Sequence, residues 1–195
     1  MRRVTAPRGT TTPRQAQLLD ELVALVLADG FAGLTLDDVA ARLHCSKSTL
    51  YGVAGSREQL VRAAVVAFFT RATAAVEDAL AGVGGHRERV AAYLRTVATQ
   101  LRPASHAFVT DLAAFPPARA VYERNTAIAA RRVQELIADG VAAGEFRDVH
   151  AVFVADVVAS VMVRIQARQV AAATGLDDAA AYDELADLVL HAISV

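Results

Sequence analysis

The densest run of hydrogen-bonding side chains is Ser46-Lys47-Ser48-Thr49-Leu50-Tyr51, and Lys47 is the one lysine among twenty basic residues. Hydroxyls can serve phosphate oxygens and base edges, an ammonium can neutralise a phosphate, and the unpaired amides at a helix start attract anions. On a short helix, that set suits the groove of a nucleic acid. It does not make a catalytic centre. The histidines (His44, His86, His106, His150, His191) are scattered without zinc-helix spacing, and Cys45 is single. No Gly-x-Ser-x-Gly elbow or kinase-like set occurs, and Gly82-Val83-Gly84-Gly85 lacks the preceding strand and Gly-Lys-Ser/Thr ending of a phosphate loop. We therefore expect no enzyme, no catalytic residue, no metal site and no cofactor, with Cys45 an inert, buried thiol.

The elements that must position the hexad are helical. Thr12-Pro13-Arg14-Gln15 reads as a cap, a first-turn proline and a capping glutamine. Leu18, Leu19, Leu22, Val26 and Leu27 then make an apolar stripe ending at Gly30 and Phe31. Thr35, with Asp38 three residues on, starts a second helix whose Val39, Ala40 and Leu43 face inward. His44-Cys45-Ser46 is a turn, and Ser46 caps the third helix. Ser56-Arg57-Glu58-Gln59 reads as a capping box opening a fourth helix that carries Leu60, Ala64, Val65, Phe68, Ala72 and Val76. Five more helices are expected over about 87–101, 103–115, 117–143, 150–173 and 179–193. With proline and glycine sparse and no strand-period alternation, the fold class is all-α, with about nine helices.

Three capped helices of this spacing make a helix-turn-helix unit, and at this point the chain resembles the TetR family of transcriptional regulators. The family pattern of Gly-apolar, a Thr-initiated helix, a turn, Ser-x-x-Thr-apolar-Tyr and Lys-Glu-x-Leu is met without a gap over about 30 residues. It is carried by Gly30-Phe31, Thr35-Leu36, Val39-Ala40, Ser46-Lys47-Ser48-Thr49-Leu50-Tyr51 and Arg57-Glu58-Gln59-Leu60. The resemblance implies a DNA-binding domain over 12–72, with its helix-turn-helix at 35–54, and a ligand-binding and dimerisation domain over 73–195. It implies DNA contacts from Thr35, Ser46, Lys47, Ser48, Thr49, Tyr51 and Arg57, and a double-stranded operator as partner. It further implies a repressor released by a small-molecule effector. Three departures stand out. His44 occupies a place often held by glycine, a left-handed position that histidine tolerates at some cost. Cys45 replaces valine. Ala54 replaces a phenylalanine, removing about 3 kcal/mol of anchoring if nothing refills the space. With Gly52 and Val53 also departing from the usual bulky pair, a looser third helix is expected. The alternative reading is a helical ligand-binding or scaffold protein whose DNA-binding head has decayed.

Charge and hydropathy agree with two parts. Residues 1–62 hold eight basic and six acidic side chains, and the remainder holds twelve and fifteen. Arg2, Arg3, Arg8 and Arg14 form a basic arm suited to a polyanion. No secretory h-region or uninterrupted apolar run of about 18 residues is present, so a cytoplasmic protein without membrane contact is expected. In the eighth helix, Val152, Phe153, Val154, Val157, Val158, Val161, Met162, Val163 and Ile165 leave little polar face. Such a helix needs cover on both sides. The ninth shows Leu185, Leu188, Val189, Ala192 and Ile193 at matching spacing. The resemblance implies a homodimer through these eighth and ninth helices, and a ligand pocket among the fourth to eighth. Pocket candidates are Phe68, Tyr93, Val97, Phe108, Leu112, Phe115, Tyr122 and Met162, with His106, Asp111 or Gln166 as polar handles.

Overall fold

A computed structural model describes residues 13–195, so the expected Thr12 cap and Arg2, Arg3 and Arg8 of the basic arm lie outside the described residues. Ten helices follow one another: α1 Pro13–Asp29, α2 Leu36–Arg42, α3 Lys47–Tyr51, α4 Arg57–Ala81, α5 His86–Leu101, α6 His106–Ala114, α7 Pro116–Ala142, α8 Ala151–Gln166, α9 Gln169–Thr174 and α10 Asp178–Ile193. Among the described residues, the one β feature is an isolated antiparallel bridge between Phe146 and Ser194. The all-α class read from the sequence holds.

Two apolar cores share α4. The first joins α1, α2 and α3 to the amino-terminal half of α4 through Leu18, Leu22, Val26, Leu43, Leu50, Leu60 and Val65. The second joins Val76 and Leu80 of α4 to α5, α7, α8 and α10. Phe108 and Leu112 of α6 and Ala118 of α7 belong to the first core. The amino-terminal core is thus closed by helices far along the chain, and α4 runs through both. By length and composition alone, α4 is apolar enough to cross a membrane. Its place in two cores and its ion pairs, Arg71 with Asp20 of α1 and Glu77 with Arg132 of α7, make it the central strut.

Three local expectations are corrected. The single helix expected over 150–173 breaks after Gln166, where Arg168 adopts left-handed geometry at φ 59° and pairs with Asp178 at 3.0 Å. No glycine or proline marks this break. It re-aims α9 so that Val170 and Leu176 pack on the second core, a tertiary gain that overrides the helix propensity of an alanine-rich run. Pro103 does not open α6. Ser105 caps it by accepting from the Phe108 amide at 3.1 Å, while the Ser105 amide donates to the Leu27 carbonyl at 2.8 Å. At α4, Ser56 accepts from Gln59, but the Gln59 side chain reaches past it to accept from the Gly55 amide at 2.9 Å, so the box is only half closed.

Candidate functional site

The helix-turn-helix is set by caps at each start. Thr35 accepts from the Asp38 amide at 3.1 Å and Asp38 accepts from the Thr35 amide at 2.9 Å, a closed capping box. The Thr35 hydroxyl also donates to that carboxylate, and these bonds hold the Asp38 pKa below its ordinary value. His44 supplies the left-handed turn at φ 47°, as its place in the pattern requires. Ser46 then caps α3 through the Thr49 amide at 3.2 Å, with its hydroxyl 2.6 Å from that of Ser48 and 2.9 Å from that of Thr49. Beneath this face, Leu50, Leu43 and Val39 are buried. Ser46, Lys47, Ser48 and Tyr51 are exposed, and Thr49 is half-buried. Lys47 lies 2.6 Å from Asp37, a contact that raises its pKa first by hydrogen bonding and then by charge. The carboxy-terminal end of α3 is tied down by Gln15, which donates to the Gly52 carbonyl at 3.0 Å, and by Val53 and Ala54 packing on the first core.

Arg57 and Asp111 have roles that the sequence did not reveal. The Arg57 guanidinium donates to the carbonyls of Leu34, of Phe31 at 2.5 Å and of Ala32 at 2.9 Å. The Asp111 carboxylate, on α6, accepts from the amides of Phe31 at 2.5 Å and Ala32 at 2.7 Å. The α1–α2 turn is therefore held from α4 on its carbonyl side and from α6 on its amide side. Gly30, at φ +75°, allows the approach, since a Cβ there would stand 2.6 Å from the Asp111 carboxylate. Phe115 stacks edge-on against Phe31 with centroids 5.9 Å apart, and Phe68 packs edge-on to Phe108 at 5.8 Å, both in the first core. His106 is exposed at the start of α6.

Of the pocket candidates, Tyr93, Val97, Tyr122, Met162 and Gln166 come together around a cavity of about 180 Å³. Phe108 and Leu112 line a neighbouring cavity of about 280 Å³, shared with Tyr122 and Gln166. Phe68, His106, Asp111 and Phe115 line neither. A hydrogen-bonded chain runs between the two spaces: Tyr122 donates to Gln166 at 2.9 Å, and Gln166 to the Tyr182 hydroxyl at 3.2 Å. Tyr93 donates to the Ala129 carbonyl at 3.3 Å, and burial pushes its phenol up to about 12. Burial raises the Tyr122 and Tyr182 phenols as well, so all three are neutral hydrogen-bonding groups near neutral pH. Sequence reading missed Phe69, Thr73, Asn125 and Thr126 in the first cavity wall. The signal was present: Tyr122, Asn125, Thr126 and Ala129 fall on one face of α7 at i, i+3, i+4 spacing.

Residues 18–64, which contain α2, α3 and the cap of α4, match the family model of bacterial regulatory proteins of the tetR family. This is a tetR-family head. No curated protein matches the chain in sequence. Solved structures extend the likeness beyond the head. A tetR-family transcriptional regulator from Cytophaga hutchinsonii is 17% identical, with a TM-score of 0.76 over 97% of this chain and 99% of that one. A transcriptional regulator from Saccharomonospora viridis in complex with choline is 17% identical, with a TM-score of 0.76 over 92% and 97%. A ketosteroid transcriptional regulator of Mycobacterium tuberculosis is 19% identical, with a TM-score of 0.64 over 96% and 98%. The fold and the head are those of tetR-family transcriptional regulators.

Behind the tetR-family head, the covered and uncovered sides of α8 and α10 separate cleanly. Ala155, Val158, Met162 and Ile165 of α8 and Leu185, Val189 and Ile193 of α10 are buried within the chain. Val152, Phe153 and Val157 of α8 and Leu188 of α10 are exposed, Phe153 at 66% and Leu188 at 69%. These four are the large apolar side chains of α8 and α10 that the fold leaves exposed.

Proposed function

We propose that the protein is a sequence-specific DNA-binding transcriptional regulator acting as a homodimer, a repressor released by a small-molecule ligand. The observation that carries this reading is the exposed hydroxyl and ammonium face of α3 laid over a buried Leu50, on a helix capped at its start and tied at its end. Ser46, Lys47, Ser48, Thr49 and Tyr51 contact the duplex from α3, and Thr35 from the start of α2. Phosphate contacts orient the head and base edges give specificity. The uncovered stripe of α8 and α10 supports a dimer, which sets two heads on half-sites related by two-fold symmetry. A ligand that binds better when the heads are mis-spaced lowers operator affinity by the ratio of its two affinities. In the C-terminal region the residues proposed for it are Tyr93, Val97, Tyr122, Met162 and Gln166. Arg57 is assigned to positioning the α1–α2 turn, not to a phosphate. The decayed-head alternative rests on the departures at Gly52, Val53 and Ala54; the Gln15–Gly52 hydrogen bond, which ties the end of α3, favours the regulator reading over it.

Selection of bound sequences from random duplex DNA tests the reading. A palindromic motif with half-site centres about one helical turn (roughly 34–36 Å) or a multiple apart is expected. Recovery of no motif at low salt sinks it.

A further inference from the structure

Beside the first cavity lies a groove of about 310 Å³ between α4 and α7, and the two share Phe69, Thr73, Asn125 and Ile128 in their walls. The groove and the cavity are therefore neighbouring spaces with one shared wall, and side-chain movement at that wall would join them into one slot with two chemically different ends. The inner end is lined by Val76, Val97, Leu101 and Met162. The outer end carries Arg62 from α4 and Arg124 from α7. Neither arginine has an ion-pair or hydrogen-bond partner among the described residues. Most other arginines that cross between helices do: Arg71 with Asp20, Arg132 with Glu77 and Arg168 with Asp178.

The charge along the slot is lopsided. Its walls hold Arg62, Arg124, Arg131 and Arg132 against two acids, Glu77 and Glu135. Both acids are already spent on Arg132, at 2.9 and 3.1 Å. Two cations thus face the outer groove without an ion-pair partner. Val66 and Ile128, 37% and 48% exposed, flank the same groove, so apolar surface runs from the arginines inward. An unpaired cation pair at the mouth of a partly enclosed apolar slot concentrates anions there.

We propose that the effector is an anionic amphiphile, whose apolar chain fills the inner cavity and whose carboxylate or phosphate head is held by Arg62 and Arg124. This rests on the regulator reading above but is tested on the protein without DNA. Binding of dodecanoate, dodecyl phosphate, dodecanol and dodecyltrimethylammonium, each below its micelle-forming concentration, is measured by calorimetry on the full chain and on Arg62→Ala, Arg124→Ala and the double variant. Both anions are expected to bind about a hundredfold tighter than dodecanol, the cation most weakly of the four, and each arginine to account for roughly tenfold of that. The double variant binds dodecanoate no better than dodecanol, and added salt erases the anion's advantage in the wild type. The ratio of dodecanoate to dodecyl phosphate separates a carboxylate from a phosphate head. Ala159→Leu, which narrows the inner cavity, shifts preference from dodecanoate towards octanoate and reports on the tail independently of charge. Equal binding of anion and alcohol, indifference to both arginines, or preference for the cation overturns the proposal. So does failure of all four probes to bind. Operator binding, measured separately on the same preparation, shows whether the regulator reading falls with it; because Arg62 lies within the head, its variant is also checked there.

Discussion

Lys47 shows how a residue's meaning depends on its neighbour. In the structure it pairs with Asp37, and both side chains are exposed. In the proposed complex a phosphate takes the ammonium from that carboxylate, against repulsion from Asp37 itself. Lys47→Ala is expected to weaken binding to all sequences alike and to make the salt dependence shallower by about one unit of log slope. Asp37→Asn is expected to act oppositely, raising affinity at low salt by up to about fivefold, the scale of an exposed ion pair. Titration of both variants against one operator across salt concentrations checks the pair. A weaker Asp37→Asn complex removes the competition argument. The position of Lys47 at the first turn of α3 was legible from the Ser46 cap. Its pairing was not, because Asp37 lies ten residues back on another helix, and only the turn at His44 brings the two together.

At the scale of elements, the α1–α2 turn is where the head meets the body. Arg57 takes its carbonyls and Asp111 its amides. The Arg57 contact reads from sequence as a phosphate ligand because a cation near a helix start is all the sequence displays. Three carbonyls from an adjacent turn are invisible until the chain folds. Arg57→Ala is expected to cost about 2 kcal/mol of stability, seen as a lower urea midpoint, since three charge-assisted bonds are lost. The salt slope of operator binding should stay unchanged. A shallower slope with normal stability restores the phosphate role. Asp111 teaches the same lesson in reverse: a carboxylate on an amphipathic helix looks like a pocket handle, yet it faces Phe31 and Ala32 some 80 residues earlier. Through it, α6 touches the head directly while Phe108 and Leu112 of the same helix line the second cavity. Capping was far more legible. Thr35 and Ser46 cap as read, and Ser56 caps α4 though without the full box, because a cap satisfies amides within three residues and needs no tertiary partner.

For the whole molecule, the proposed dimer rests on the stripe of Val152, Phe153, Val157 and Leu188, which would then set whether one head or two meet DNA. Phe153→Asp combined with Leu188→Asp places two charges on that stripe without touching the internal core. The expected result is a helical monomer, with half the sedimenting mass of the wild type. It should bind a single half-site but lose the gain from linking two, a loss of about 10²-fold or more in operator affinity. A variant that still sediments as a dimer places the interface elsewhere. The sequence showed that α8 was apolar nearly all round. It did not show which side faces inward, because that depends on the angle at which α7 and α10 pack against it.

The sequence by itself determined the helices, the caps, the left-handed place at His44, the helix-turn-helix and the all-α class. These rest on interactions between residues a few positions apart, which leave their pattern in the chain. Tertiary structure alone decided the break at Arg168, the clamp of Arg57 and Asp111 on the α1–α2 turn, and the assignment of Asp111 and Phe115 to the head and not to a cavity. It also decided which arginines are left without a partner. Each of those depends on residues tens of positions apart meeting across a helix interface, and only packing sets that meeting. Lys47 belongs to both accounts: local order puts it at the start of α3, and the fold gives it Asp37.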